Sequence, residues 1–155
     1  MRILKRSFFN KINIITRFIS NFTDFSVFEL IDGVSLRYVT DKKELGDPDL
    51  ILLPGTKNTM GDMEWLIESG LEGAIIRAAR TTRVIGICGG FQLLGKEMHD
   101  PDGVEHGGDM RGLGLLDTDT SVCRDNSFCS CGCHLSNIFQ SLTAFGQIKK
   151  ARMTS

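Results

Sequence analysis

The chain has 155 residues, with 18 Lys+Arg against 19 Asp+Glu, a formal net charge of -1, 41% hydrophobic and 24% charged side chains. These proportions exclude a disordered or collagen-like chain, and the length suits one folded domain with a sizeable core. No apolar run approaches the roughly 18 residues that span a bilayer, and neither a membrane nor a nucleic-acid partner is expected.

The charge is unevenly placed. Residues 1–20 carry Arg2, Lys5, Arg6, Lys11 and Arg17 and no acid, the middle of the chain is acidic, and residues 121–155 are basic again. A secretory signal needs an apolar stretch of about 7–15 residues after its charges. Here Asn10, Lys11, Asn13, Thr16 and Arg17 interrupt each candidate, so residues 1–16 read as a poorly specified N-terminal segment leading into a β-rich stretch, Ile12–Ile19. One isolated Cys in the best-patterned region, in a near-neutral chain, points to a reducing, cytoplasmic setting and not to a disulfide framework.

Farther on, Ser35–Thr40 alternates and is β-branched enough for a strand. The charged patch Asp41–Asp49 reads as a surface turn or short helix. Leu50–Leu53 is wholly apolar, as expected of a strand buried on both faces of a parallel sheet, and it stops at Pro54-Gly55. A helix follows, capped by Thr56, Asn58 or Thr59, with Met60, Met63, Leu66 and Ile67 on one face; Gly70 ends it. Leu71–Arg80 repeats the helical pattern through Leu71, Ile75, Ile76 and Ala79, with Arg80 and Arg83 at its C-terminal end. Val84–Ile87 is a second short buried strand and Phe91–Met98 a third helical candidate. This alternation predicts an α/β domain with a parallel sheet, whose ligands bind beyond the carboxyl ends of the strands. Pro54-Gly55 and Cys88 both fall there.

Gly86-Ile87-Cys88-Gly89-Gly90 sets glycines two before and two after the Cys, the spacing of a nucleophile elbow with sulfur in place of oxygen. A strand that turns at once into a helix strains the nucleophile, and flanking glycines remove Cβ clashes. The N–H groups of the turn favour an anionic nucleophile and can hold an oxyanion. Gln92, one helical turn on, faces the same way. The competing reading is a buried structural Cys. A thiol nucleophile also needs a base; His99 and His106 flank the turn-rich DPDGVEHGGDMRG and read as solvated loop residues, and nothing positions His134.

The segments G-I-C-G-G-F-Q, D-L-I-L-L-P-G-T-K-N-T, D-M-E-W-L, D-P-D-G-V-E and G-L-G-L-L-D, with S-N-F-T-D-F and G-V-S-L-R-Y-V upstream, resemble the glutamine amidotransferase domain of cobyric acid synthases, the cobalamin-synthesis branch of the class I, triad-type amidotransferases. The resemblance runs from about Arg17 to Thr120. It implies a three-layer, flavodoxin-like fold with a mostly parallel sheet, its C-terminal part missing or divergent. Cys88 would attack the side-chain amide of glutamine, Gly89 and Gly55 would hold the oxyanion, and Gln92 would position the substrate. The ammonia would pass to a synthetase domain or subunit that amidates adenosylcobyrinic acid a,c-diamide with ATP and Mg; no cofactor is implied for this chain itself. The amidotransferase parts of cobyrinic acid a,c-diamide synthase and of a peptidoglycan-amidating glutaminase share the Cys elbow but fit P-G-T-K-N-T less well.

Against that pattern there is no G-x-x-x-x-G-K-[ST] loop for a synthetase domain, and no late His after a Y-E-I-H-type segment. Residues 17–120 therefore read as a partial amidotransferase domain. Residues 121–155 read as a divergent Cys-rich tail, as from truncation or a frameshift, and a non-catalytic remnant is the rival to an active glutaminase. In the tail, Cys123, Cys129, Cys131, Cys133 and His134 lack the paired spacing of a structural zinc site, and no metal is assigned.

Overall fold

The computed structural model describes residues 9–17 and 25–122 and, as backbone, residues 132–133. Four strands, β1 (Lys11–Ile15), β2 (Ser35–Val39), β3 (Leu50–Leu53) and β4 (Arg83–Gly86), form a wholly parallel sheet in the order β2-β1-β3-β4. This is a doubly wound, flavodoxin-like order. β3 lies between β1 and β4 and is buried on both faces, with exposures of 3% or less from Leu50 to Leu53. Its continuous apolar run had announced that position.

β1 begins at Lys11 and lies inside the sheet, although residues 1–16 read as poorly specified. It overlaps the expected β-rich stretch Ile12–Ile19, and the polar Asn13 within it is buried and donates from Nδ2 to the Leu45 carbonyl at 2.6 Å. A polar side chain with its partner in place costs little in a core. Asp49 fixes the start of the strand by accepting the N–H groups of Asn10 and Lys11, both at 2.9 Å. Those two bonds hold its carboxyl below the ordinary value.

Helices α1 (Thr59–Glu68) and α2 (Leu71–Ala78) join β3 to β4. Asn58 caps α1, its Oδ1 accepting from Gly61 N–H at 2.7 Å, and Gly70 stops it at φ +71°. Met60, Met63 and Leu66 are buried as the periodicity predicts. Ile67 is 41% exposed, and Thr59 takes the remaining inward place. α2 ends at Ala78, so Arg83 belongs to β4 and stands over the Phe9 ring at 5.3 Å. α1 and α2 cover one sheet face through Ile15, Val39, Ile51 and Leu53. On the opposite face Ile14 and Leu52 pack with Phe25 and Phe28, next to the 3-10 turn Ser26–Leu30. A second 3-10 turn, Lys42–Glu44, occupies the expected charged patch.

After α3 (Gly89–Leu93) the chain departs from the predicted third helix. Glu97–Asp100 is a strand, β5, pairing antiparallel with β6 (Gly108–Arg111) and parallel with β7 (Thr118–Ser121). β8 (Gly132–Cys133) adds antiparallel to β7. Apolar residues at Phe91, Leu94 and Met98 satisfy helical spacing, but backbone pairing with two distant strands decides the outcome.

Candidate active site

The two sharp turns of the sequence meet at the carboxyl edge of the parallel sheet. β3 ends at Leu53 and turns at Pro54-Gly55; β4 ends at Gly86, and Ile87 N–H still donates to the Leu53 carbonyl at 2.9 Å. Cys88 follows at φ +53°, ψ -116°, the single non-glycine residue with positive φ among those described. α3 starts at Gly89, with Gly90 and Phe91 N–H groups donating to the Ile87 and Cys88 carbonyls, both at 2.9 Å.

Close packing explains the glycines. A Cβ on Gly86 would overlap the Gly90 carbonyl, and one on Gly90 would overlap the Leu53 carbonyl. One on Gly89 would run into the Thr56 methyl. A Cβ on Gly55 would lie 3.6 Å from that of Cys88, so this glycine stands directly beside the nucleophile candidate. Cys88 is exposed and free. Among the described residues, the N–H groups of Gly55 and Gly89 donate no hydrogen bond.

Gln92 has an engagement that the sequence could not disclose: its Oε1 accepts from Thr59 Oγ1 at 3.0 Å. This ties the helix behind Cys88 to the start of α1. The next residue, Met60, donates its N–H to Glu105 Oε2 at 2.9 Å. Glu105 is carried by a loop built around Asp100, which is fully buried and accepts the N–H groups of Val104, Glu105, His106 and Gly107 at 2.8 to 2.9 Å. Burial pushes the Asp100 carboxyl up, but the four N–H donors outweigh it and hold it well below the carboxylate range. Thr59, Asp100 and Glu105 were missed as site residues. The D-P-D-G-V-E segment was the available signal, but Glu105 meets a partner 45 residues away.

A cleft between the ends of β1 and β3 adjoins this corner, lined by Thr16, Arg17, Pro54, Gly55, Asp62 and Trp65. It lies where the strand order reverses, the usual ligand position in such sheets.

Of the two histidines read as loop residues, only His99 departs from that reading. His99 sits in β5, its Nδ1 2.7 Å from Asp109 Oδ1 and its Nε2 3.7 Å from Glu97. The bond to Asp109 raises its pKa. His106 is in the Asp100 loop, as expected. His134 and the tail cysteines lie outside the described residues, apart from the backbone of Cys133. Among the described residues no hydrogen bond or ion pair joins Cys88 to a histidine, no group of three or more His, Cys, Asp or Glu is arranged to hold a metal ion, and no helix is long and apolar enough to cross a membrane.

A family model described as the CobB/CobQ-like glutamine amidotransferase domain matches residues 11–144. The chain is similar to the cobyric acid synthase of Ruminiclostridium cellulolyticum, 56% identical over 103 residues, which are 66% of this chain and 20% of that protein. It is similar also to that of Moorella thermoacetica, 57% identical over 100 residues, 63% of this chain and 19% of the relative. The chain thus spans about a fifth of the length of these curated relatives. In fold it resembles a solved glutamine amidotransferase, with a TM-score of 0.56 at 16% identity, covering 71% of this chain and 55% of the other. The strand order, the Cys elbow and a family match over most of the sequence agree: the chain belongs to the CobB/CobQ-like glutamine amidotransferase domain family.

Proposed function

We propose that the chain is the glutaminase portion of a cobyric acid synthase and that Cys88 is its nucleophile. The observation that carries this reading is the Cys88 backbone, held at positive φ at the turn from β4 into α3 and next to Gly55; the N–H groups of Gly55 and Gly89 donate no hydrogen bond among the described residues. A residue is kept in such a conformation only where its surroundings enforce it, and nucleophile elbows are such places. The sulfur adds to the side-chain amide carbon of glutamine, and the carbonyl oxygen becomes an oxyanion facing the two N–H donors. The thiol proton passes to the amide nitrogen, and collapse of the adduct breaks the C–N bond and releases ammonia, leaving a γ-glutamyl thioester; water attacks that thioester to give glutamate and the free thiol. The ammonia serves a synthetase part that amidates adenosylcobyrinic acid a,c-diamide with ATP and Mg, in the cytoplasm. ATP is assigned to that part.

A second reading, a non-catalytic member, is favoured by one specific observation: Cys88 has no histidine bonded to it among the described residues. Loss of a positioned base costs roughly 10²–10⁴-fold in rate. Labelling with 6-diazo-5-oxo-norleucine, a glutamine analogue that alkylates such nucleophiles, separates the two. The glutaminase reading expects saturable, stoichiometric modification of Cys88, and glutamate release from glutamine that Cys88→Ala abolishes. Labelling no faster than that of a surface thiol, with no glutamate released, supports the non-catalytic member.

A further inference from the structure

We infer that Glu105 is a positioning residue for the glutamine subsite, acting through α1 on Gln92; this deepens the glutaminase reading and rests on it. The connection is continuous on named atoms. Asp100 gathers four consecutive loop N–H groups, Val104 to Gly107, on its buried carboxylate and so fixes where Glu105 leaves the loop. Glu105 Oε2 accepts the Met60 N–H at 2.9 Å. Thr59, the residue before Met60, is 3% exposed and donates from Oγ1 to Gln92 Oε1 at 3.0 Å. Gln92 N–H in turn donates to the Cys88 carbonyl at 3.3 Å.

The physical reason such a device is needed lies in α1. The first N–H groups of a helix have no partner within it, and the Asn58 side chain satisfies only that of Gly61. An unpaired Met60 N–H would let the first turn fray, and Thr59 would lose its fixed place. Glu105 supplies that partner from the far side of the sequence, with a charge of the sign that a helix N-terminus favours. With its carbonyl held by Thr59, Gln92 is anchored through its oxygen, and its amide NH2, which donates to no described residue, is left for a ligand. Glu105 itself need not touch glutamine.

The test uses the full chain and reads two quantities. Amide hydrogen exchange at Met60 is expected to speed up about tenfold in Glu105→Ala, the loss of one charge-assisted hydrogen bond. The concentration of 6-diazo-5-oxo-norleucine that half-saturates Cys88 labelling is expected to rise about tenfold, while labelling of Cys88 by iodoacetamide, which has no subsite to fill, stays unchanged. Glu105→Gln keeps an oxygen for Met60 and is expected to recover most of both effects. Unchanged Met60 exchange in Glu105→Ala overturns the clamp, whatever the site does. Faster exchange with an unaltered half-saturation, or a Gln variant as impaired as Ala, overturns the link to the subsite. If the unaltered chain itself shows no saturable labelling, the glutaminase reading has failed, and the positioning role falls with it for that separate reason.

Discussion

At Cys88 the chain adopts φ +53°, ψ -116°, and the cost of that conformation is met by the glycines around it. The spacing of Gly86, Cys88 and Gly90 was legible because each glycine answers a backbone approach that only a hydrogen can fit. Two glycines test this logic from opposite sides. Gly90 faces the Leu53 carbonyl, and Gly90→Ala is expected to lose about 3 kcal/mol, near the upper end of overpacking, because backbone cannot move aside. Gly103 has open space around it but φ +62°, so Gly103→Ala is expected to lose about 1 kcal/mol from conformation alone. Urea midpoints of the two variants check the ordering. The partner of Gln92 was not legible, since Thr59 and Gln92 are 33 residues apart and nothing local links them.

Among the elements, β3 was read correctly from sequence because burial of both faces leaves a continuous apolar run, and α1 was placed correctly by its buried face apart from Ile67, which is exposed. β5 was misread for the opposite reason. Four residues with two buried carry little periodicity, and their state is decided by pairing with β6 and β7. His99 and Asp109 oppose each other across β5 and β6, and their bond gives that pairing a pH dependence. The His99 pKa is raised, so its contribution is complete below the ordinary value of about 6.5 and is lost as pH rises through the higher folded value. Thermal melts are expected to show stability declining above that point, and Asp109→Asn is expected to flatten the decline. A parallel decline in both proteins rules out this pair as its source.

For the molecule as a whole, the sheet joins two apolar clusters, one under α1 and α2 and one under the 3-10 turn Ser26–Leu30. Ile51 is fully buried in the first, at the centre of the sheet. Ile51→Ala is expected to lose about 3 kcal/mol, the transfer and cavity cost of a core truncation, read in urea by the fluorescence of Trp65. The sequence by itself determined the α/β class, the buried strand β3, the elbow at Cys88 and the family, because each is recorded in local spacing or in a run of matched motifs; β4, expected to be buried, is a half-exposed edge strand. Tertiary structure alone decided that Asn13 finds its buried partner in the Leu45 carbonyl, that Glu97–Asp100 extends instead of coiling, and that Asp100 and Glu105 brace α1 behind the candidate nucleophile. Those three outcomes depend on hydrogen bonds between atoms far apart in the chain, and no local pattern records which distant partner a polar group will find.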